Sequence, residues 1–291
     1  MLLKVLYRKI TPEKMRHFVY WNLIERLYLF WTELKCKWFL IVPAKNEKQK
    51  AYRIMEMTEI SPFPYLWKTE YDKQHYMVNM DTGNGLPYVN HNGKKLYYKK
   101  GTLLSVVESM YRTSLLEQDK RSAHCYINNY EELRGKTLLD IGAAEGNFAL
   151  DVIEYVEHVY LFECEKGWVE ALESTFAPWK EKVTIIQKYV SDIDDENNIT
   201  LDTYFKDKKK ENLYLKMDIE GYERKALKGA VNLLTFSKNI GGSVCIYHLR
   251  DDELVIKNML KTYGLEIQIA PGYLFMCWSM RHGILRFNRN T

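Results

Sequence analysis

The stretch Leu-Leu-Asp-Ile-Gly-Ala-Ala-Glu-Gly at positions 138–146 decides the fold of this chain. Leu138, Leu139 and Ile141 form a short apolar run that reads as a buried strand, with Asp140 near its C-terminal end. Gly142 and Gly146 bracket a turn of small residues, Ala143 and Ala144, with Glu145 beside them. Phe148, Val152, Ile153 and Val156 then recur at helical spacing, so a helix starts at about Asn147. Strand, glycine turn and helix in that order open a nucleotide-type α/β site, because absent side chains let a ligand reach the backbone. The turn is not G-x-G-x-x-G: Ala144 stands where the second glycine would be.

Downstream, strands and helices alternate, which predicts a mainly parallel sheet covered on both faces. Strands are expected at 137–141, 158–163, 183–187, 213–217 and 243–247. A helix carries Trp168, Leu172 and Phe176 on one side and stops near Pro178, and another starts near Thr200. Further helices are expected over 221–236, interrupted at Gly229, and over 252–263. The last two strands, 265–269 and 273–278, are expected to pair as an antiparallel hairpin across Pro271-Gly272.

Upstream, 88–98 carries Asn92-Gly93 between two β-prone arms, a hairpin signal. Residues 104–126 read as helical and end near Glu117-Gln-Asp-Lys-Arg-Ser-Ala-His124. From Phe18 to Val42 the chain is strongly apolar, but Glu25, Arg26, Glu33, Lys35 and Lys37 are too many charges for a membrane span. Trp21, Ile24, Tyr28, Trp31, Leu34 and Trp38 fall at steps of three or four and define an amphipathic helix with an aromatic face. Packing onto the main domain is the first reading of that face, a homodimer or membrane-surface contact the second. An extension over 1–105 and a catalytic domain over 106–291 are the expected division.

Composition narrows the class. A net charge of +4 over 291 residues gives no argument for nucleic acid. Lys94-Lys95, Lys99-Lys100 and 208–210 read as solvated loops. Cys36, Cys125, Cys164, Cys245 and Cys277 form no C-x-x-C pair and read as buried free thiols of a reducing, cytoplasmic compartment, with no zinc. The first residues lack the apolar core and cleavage site of a signal peptide.

Ligands of open α/β sheets bind at the carboxyl ends of the strands. Glu163 ends the second strand and can accept hydrogen bonds from both hydroxyls of a ribose, with Cys164 beside it. Asp192 follows the third and is either an acceptor for an adenine amino group or a capping aspartate. Lys216, Asp218 and Glu220 alternate at the end of the fourth, and Gly221 opens a helix on which Glu223 and Lys228 read as surface. His248 ends the fifth and titrates near neutral pH. His124 and Arg121 lie just before the core and read either as a helix-end charge cluster or as residues that close over a ligand. A metal at Asp218 and Glu220 lacks a third ligand, so none is expected.

D-x-G-x-x-x-G at Asp140–Gly146 resembles the first motif of class I S-adenosylmethionine-dependent methyltransferases. Together with Phe162-Glu-Cys-Glu165, Tyr189-Val-Ser-Asp192 and Lys216-Met-Asp-Ile-Glu-Gly-Tyr-Glu223, it resembles the FkbM family of O-methyltransferases over about 86–270. That resemblance implies a Rossmann-like α/β fold with a seven-stranded sheet whose last strand is antiparallel. It implies S-adenosylmethionine as cofactor, held by Asp140, Gly142, Ala143, Ala144, Glu145, Gly146, Glu163, Cys164 and Asp192. It also implies methyl transfer to a hydroxyl of a glycan or small metabolite; by their positions at the strand ends, His248, Asp218 and Glu220 are the catalytic candidates. The alternatives are an NAD(P)-dependent Rossmann oxidoreductase and a non-catalytic binding protein that keeps the fold.

Overall fold

The structure, a computed structural model, describes residues 25–289. These divide into two compact units. The smaller contains 25–66 and Phe275–Met280, and the larger contains Trp67–Leu274 and 281–289.

In the smaller unit, helix α1 (Glu25–Ile41) packs on α2 (Glu47–Met57). The contact uses a narrow face: Thr32 and Cys36 of α1 are buried, opposite Ala51, Tyr52 and Met55 of α2. Phe39 stacks on Tyr52 at 6.1 Å between ring centroids. Asn46 starts α2 by accepting the Gln49 N–H at 3.0 Å, which satisfies one of the free donors of the first turn. Trp278 stacks on Tyr28 at 6.1 Å, and Phe275 meets the Tyr52 ring edge-on at 6.3 Å. The expected stripe begins outside the described residues, at Trp21 and Ile24. Of its remaining members, Tyr28 stacks on Trp278, whereas Trp31, Leu34 and Trp38 are exposed rather than packed.

The larger unit begins with α3 (Thr69–Asp72) and a three-stranded sheet, β1 (Val78–Met80), β2 (Pro87–His91) and β3 (Lys94–Tyr97). Asn92 and Gly93, with φ of 52° and 82°, make the two-residue β2–β3 turn that their sequence demands. Helix α4 (Leu104–Glu117) follows and ends earlier than expected, so 118–126 is loop.

Next come β4 (Thr137–Ile141), α5 (Asn147–Val152), β5 (His158–Phe162), α6 (Lys166–Phe176), β6 (Val183–Ile186), the short pair β7 (Tyr189–Val190) and β8 (Asn198–Ile199), and α7 (Leu201–Tyr204). Then follow β9 (Glu211–Met217), α8 (Glu223–Lys228), α9 (Val231–Phe236), β10 (Lys238–Cys245), α10 (Asp252–Thr262) and β11 (Glu266–Ile269). A hairpin of β12 (Leu274–Met276) and β13 (Ser279–Arg281) precedes β14 (Ile284–Arg289). The main sheet has seven strands in the order β11-β14-β10-β9-β4-β5-β6. Strands β10, β9, β4, β5 and β6 pair in parallel, whereas β14 is antiparallel to both β10 and β11. The near-continuous apolar runs of β4 and β9 are those of strands buried on both faces, and Leu139, Ile141, Leu215 and Met217 are fully buried.

One pairing departs from the sequence reading. Residues 265–269 do not pair with 273–278; their partner is β14, from the basic stretch Arg281–Arg289. The arginines that disguise this strand are spent on carbonyl groups. Arg286 donates to Cys125 and Tyr126, and Arg289 to Leu234, Ser237 and Tyr263 at the ends of α9 and α10.

Candidate active site

The glycine turn sits where β4, β5 and β9 end. Gly142 has φ 78°, and a Cβ placed on it would lie 2.0 Å from the Asp218 carbonyl oxygen, so no side chain fits there. Its N–H donates to the Phe162 carbonyl at 2.9 Å, and the Asp218 N–H donates to Ile141 at 3.0 Å. The three strand ends are thus tied together by backbone alone. Gly146, φ 79°, allows a different approach: a Cβ would meet Leu172 and Phe176 of α6 at 2.6 and 2.9 Å.

Beneath the turn, Asp140 and Lys216 are register neighbours on β4 and β9 and form an ion pair of 3.0 Å. Both are almost fully buried. Burial raises the Asp140 carboxyl, and Lys216 opposes this. Burial by itself would lower the Lys216 ammonium, but Asp140 and Asp218 outweigh it and hold it above its ordinary value. Lys216 also donates to the Gly142 carbonyl, so the pair fixes the turn from below.

Glu163 occupies the position just after β5 and is held by the neighbouring backbone. One carboxylate oxygen accepts the Ala144 N–H at 3.0 Å and the other the Glu165 N–H at 2.8 Å. Each oxygen has a second lone pair, and Glu163 lines a cavity of about 870 Å³ at the carboxyl edge of the sheet. Gly142, Ala143, Ala144, Glu145, Cys164, Asp218 and Glu220 line the same cavity. It has six carboxylates in its wall, Glu117, Glu145, Glu163, Glu165, Asp218 and Glu220, against two cations, Lys188 and Lys216.

Asp218 is the most connected of the six. Its Oδ2 accepts the Tyr126 hydroxyl at 2.8 Å and lies 3.6 Å from His124 Nε2. Its Oδ1 lies 3.5 Å from His248 Nε2. Burial alone would raise its pKa, but His124, Lys216, His248 and the Tyr126 hydroxyl together hold it below the ordinary value, so it is ionised at neutral pH. Burial pushes His124 down to about 4, which keeps that imidazole neutral. Glu117 moves the other way: burial, then Asp218 and Glu145, push it up to about 8.

His248 stands behind this wall. Its Nδ1 is 2.9 Å from Glu223 Oε1, and its Nε2 is 3.5 Å from Glu220 as well as from Asp218. Burial lowers its pKa, but Glu223, Asp218 and Glu220 outweigh burial and raise it overall. Glu223 was read as helix surface and is instead completely buried. The reason is local: Glu220 and Gly221 take φ of 54° and 95°, which turns the backbone so that the Ile219 and Gly221 N–H groups donate to Glu223 Oε1 at 2.9 and 3.4 Å. Next to it, Arg224 pairs with the fully buried Asp252 at 2.7 Å, anchoring the loop after His248.

Four of the expected site residues do not line the cavity. Asp140 lies under it, paired to Lys216 of the wall, Gly146 packs on α6, and His248 lies behind Asp218. Asp192 is exposed away from the wall, which Ser191, Asn197 and Asn198 form at that end. Arg121 is also turned away, paired with Asp119 and Glu70 and stacked over Trp67. Sequence reasoning missed Glu117 and Tyr126, which reach the wall from α4 and the loop after it. Of the cysteines, Cys36, Cys125 and Cys245 are buried as expected, but Cys164 is only partly buried and Cys277 is exposed. Among the described residues no helix is long and apolar enough to cross a membrane.

Six strands running in one direction, with the antiparallel β14 inserted between β10 and β11, and a glycine-turn cavity at their carboxyl edge, define the class I methyltransferase fold. Residues 115–249 match the family described as the methyltransferase FkbM domain. Among solved structures it is similar to the methyltransferase FkbM from Methylobacillus flagellatus KT, with TM-score 0.43 and 18% identity, over 64% of this chain and 53% of that one. It thus spans about half the length of that relative. It is also similar to precorrin-6y C5,15-methyltransferase from Geobacter metallireducens GS-15, with TM-score 0.38 and 9% identity, over 56% of this chain and 85% of that one. A third is the M. jannaschii tRNA m1G37 methyltransferase, with TM-score 0.41 and 13% identity, over 71% of this chain and 57% of that one. No curated protein matches the sequence.

Proposed function

We propose that this chain is an S-adenosylmethionine-dependent O-methyltransferase acting on a hydroxyl of a glycan or small metabolite. The observation that carries the reading is the wall of the cavity, where five carboxylates besides the protonated Glu117 face two lysines around a glycine turn with no room for a side chain. S-adenosylmethionine is cationic at its ammonium and its sulfonium, and such a wall favours it over a nicotinamide dinucleotide, whose phosphates would face like charge. The residues fit the cofactor: Glu163 faces the cavity as an acceptor for the ribose diol, its Oε2 holding one N–H and its Oε1 one N–H and the Cys164 thiol, and Gly142–Glu145 form the cradle.

Bound cofactor would supply an already activated methyl group, so the chain has only to orient the acceptor, keep water out and take a proton. Asp218 is the group we assign to meet the acceptor hydroxyl, because it lines the cavity and is ionised. His248, held by Glu223 and facing Asp218 from behind, acts through Asp218 as a positioning residue. Glu220 lies at the open rim and is assigned to the acceptor side. The cytoplasm, with its reducing poise, is the compartment we assign, on the five free thiols.

The test is calorimetry with S-adenosylmethionine and NADH, followed by transfer of labelled methyl to fractionated glycans and metabolites. Binding of the first and labelling of a hydroxyl-bearing product are expected. Binding of NADH alone would overturn the reading.

A further inference from the structure

Helix α1 is packed the wrong way round for a soluble helix. Its buried positions are Thr32 and Cys36, and Phe39 stacks on α2, while most of its large apolar residues face outward. Leu27, Phe30, Trp31, Leu34 and Trp38 are 48 to 59% exposed, and Ile41 is 83% exposed. At about 100° per residue these six side chains fall within one arc of roughly 100°, on the side opposite the packed face. Arg26 and Lys37 border the arc on one side and Lys35 on the other. A contiguous patch with two tryptophans is more apolar surface than a helix leaves in water without a use.

Charge says which use. Residues 1–66 hold twelve Lys and Arg against six Glu, a net +6, in a chain whose total is +4; the remainder is therefore net negative. Self-association through this face by a two-fold axis would bring the basic rims of two copies together, an unfavourable match. An anionic surface that is apolar below its charges satisfies both rim and arc. Tryptophan suits that interface because its ring is apolar and its N–H polar.

We propose that α1 docks the protein on the surface of a bilayer containing anionic lipids. The helix lies in the plane of the headgroups, with Leu27, Phe30, Trp31, Leu34, Trp38 and Ile41 inserted to a depth of about 5–10 Å. Arg26, Lys35 and Lys37 sit level with the lipid phosphates, where they complement the negative surface potential.

The experiment is flotation of the full chain with vesicles of phosphatidylcholine, with and without phosphatidylserine. The chain is expected to float with the anionic vesicles at about 0.1 M salt, and less as salt rises and shortens the screening length. Leu34→Glu with Trp38→Glu should cut partitioning by roughly tenfold or more per residue. Both residues are solvent-exposed, so the thermal melt should be unchanged. Arg26→Gln, Lys35→Gln and Lys37→Gln should each cost roughly fivefold on anionic vesicles and little on neutral ones. The proposal is overturned if the chain fails to float with anionic vesicles, or if the Leu34/Trp38 variant floats as well as the parent. A dimer by light scattering that this variant dissociates, without vesicle binding, would overturn it in favour of a second copy.

Discussion

Replacing Lys216 by Met tests whether the buried pair under the glycine turn holds the site together. Methionine keeps most of the volume and removes the charge, leaving Asp140 buried without its cation. Removing one partner of a buried ion pair costs about 3–5 kcal/mol. The loss has a pH signature. Asp140 is already raised by burial, and without Lys216 it rises further. The folded variant therefore binds its proton more tightly than the unfolded chain does. Stability is retained at low pH, where Asp140 is protonated in both states, and is lost as pH rises toward the new folded-state pKa. The slope for one proton is about 1.4 kcal/mol per pH unit, so 3–5 kcal/mol spans roughly two to four units. Lys216 in the parent is raised above its ordinary value and contributes fully throughout neutral pH, so the parent curve is flatter. Urea unfolding from acid to mildly alkaline pH should show the two proteins converging at the acid end and separating above it. Parallel curves, or a neutral-pH loss below about 1 kcal/mol, would refute the reasoning. Adding Asp140→Asn to the variant should recover much of the loss, because it removes the orphaned charge.

Glu163→Ala should weaken S-adenosylmethionine binding by two charge-assisted hydrogen bonds of roughly 1.5–3 kcal/mol each, read by calorimetry, with unchanged affinity removing Glu163 from the site. Glu117, pushed up to about 8, is protonated in the folded chain at pH 7 and ionised in the unfolded one. Its contribution to stability is complete below the ordinary glutamate range and lost as pH rises through about 8. Glu117→Gln should flatten that decline in thermal melts, and an unchanged profile would contradict the assignment. Asp218→Asn should lower turnover by about 10²–10⁴ at nearly constant cofactor affinity. His248→Ala should lower kcat less and alter its pH profile, as a residue acting through Asp218 would; the reverse order of effects would make His248 the group that meets the acceptor.

Much of this was legible in the residues. The apolar run, the glycines and the helical spacing after Asn147 dictate β4, its turn and α5 by local chemistry, and Glu163 follows from the next strand end. What was hidden depends on long-range or unusual backbone geometry. Glu223 looks like surface on a helical wheel, and only the positive φ angles of Glu220 and Gly221 turn N–H groups toward it. Glu117 and Tyr126 reach the cavity from outside the strand-and-turn pattern, so no spacing announces them. Strand β14 alternates correctly, but its arginines imitate a solvated tail because the carbonyls they cap come from residues 26 to 161 positions away. The exposed arc of α1 was visible as a stripe, whereas its outward direction was not.

The place of β14 between β10 and β11 bears on how the nascent chain avoids trouble. Strand β10 is made well before its antiparallel neighbour, and until then it presents an open edge of unpaired N–H and C=O groups, the kind of template on which chains associate. Strand β11 cannot shield it, since among the described residues β11 pairs only with β14. The residues between, Phe275–Met280, belong to the smaller unit, so the sheet is closed by a segment reached only after the chain has contributed to both units. Interrupted synthesis, or a slow step around β12 and β13, should therefore favour aggregation through β10 over simple loss of one strand.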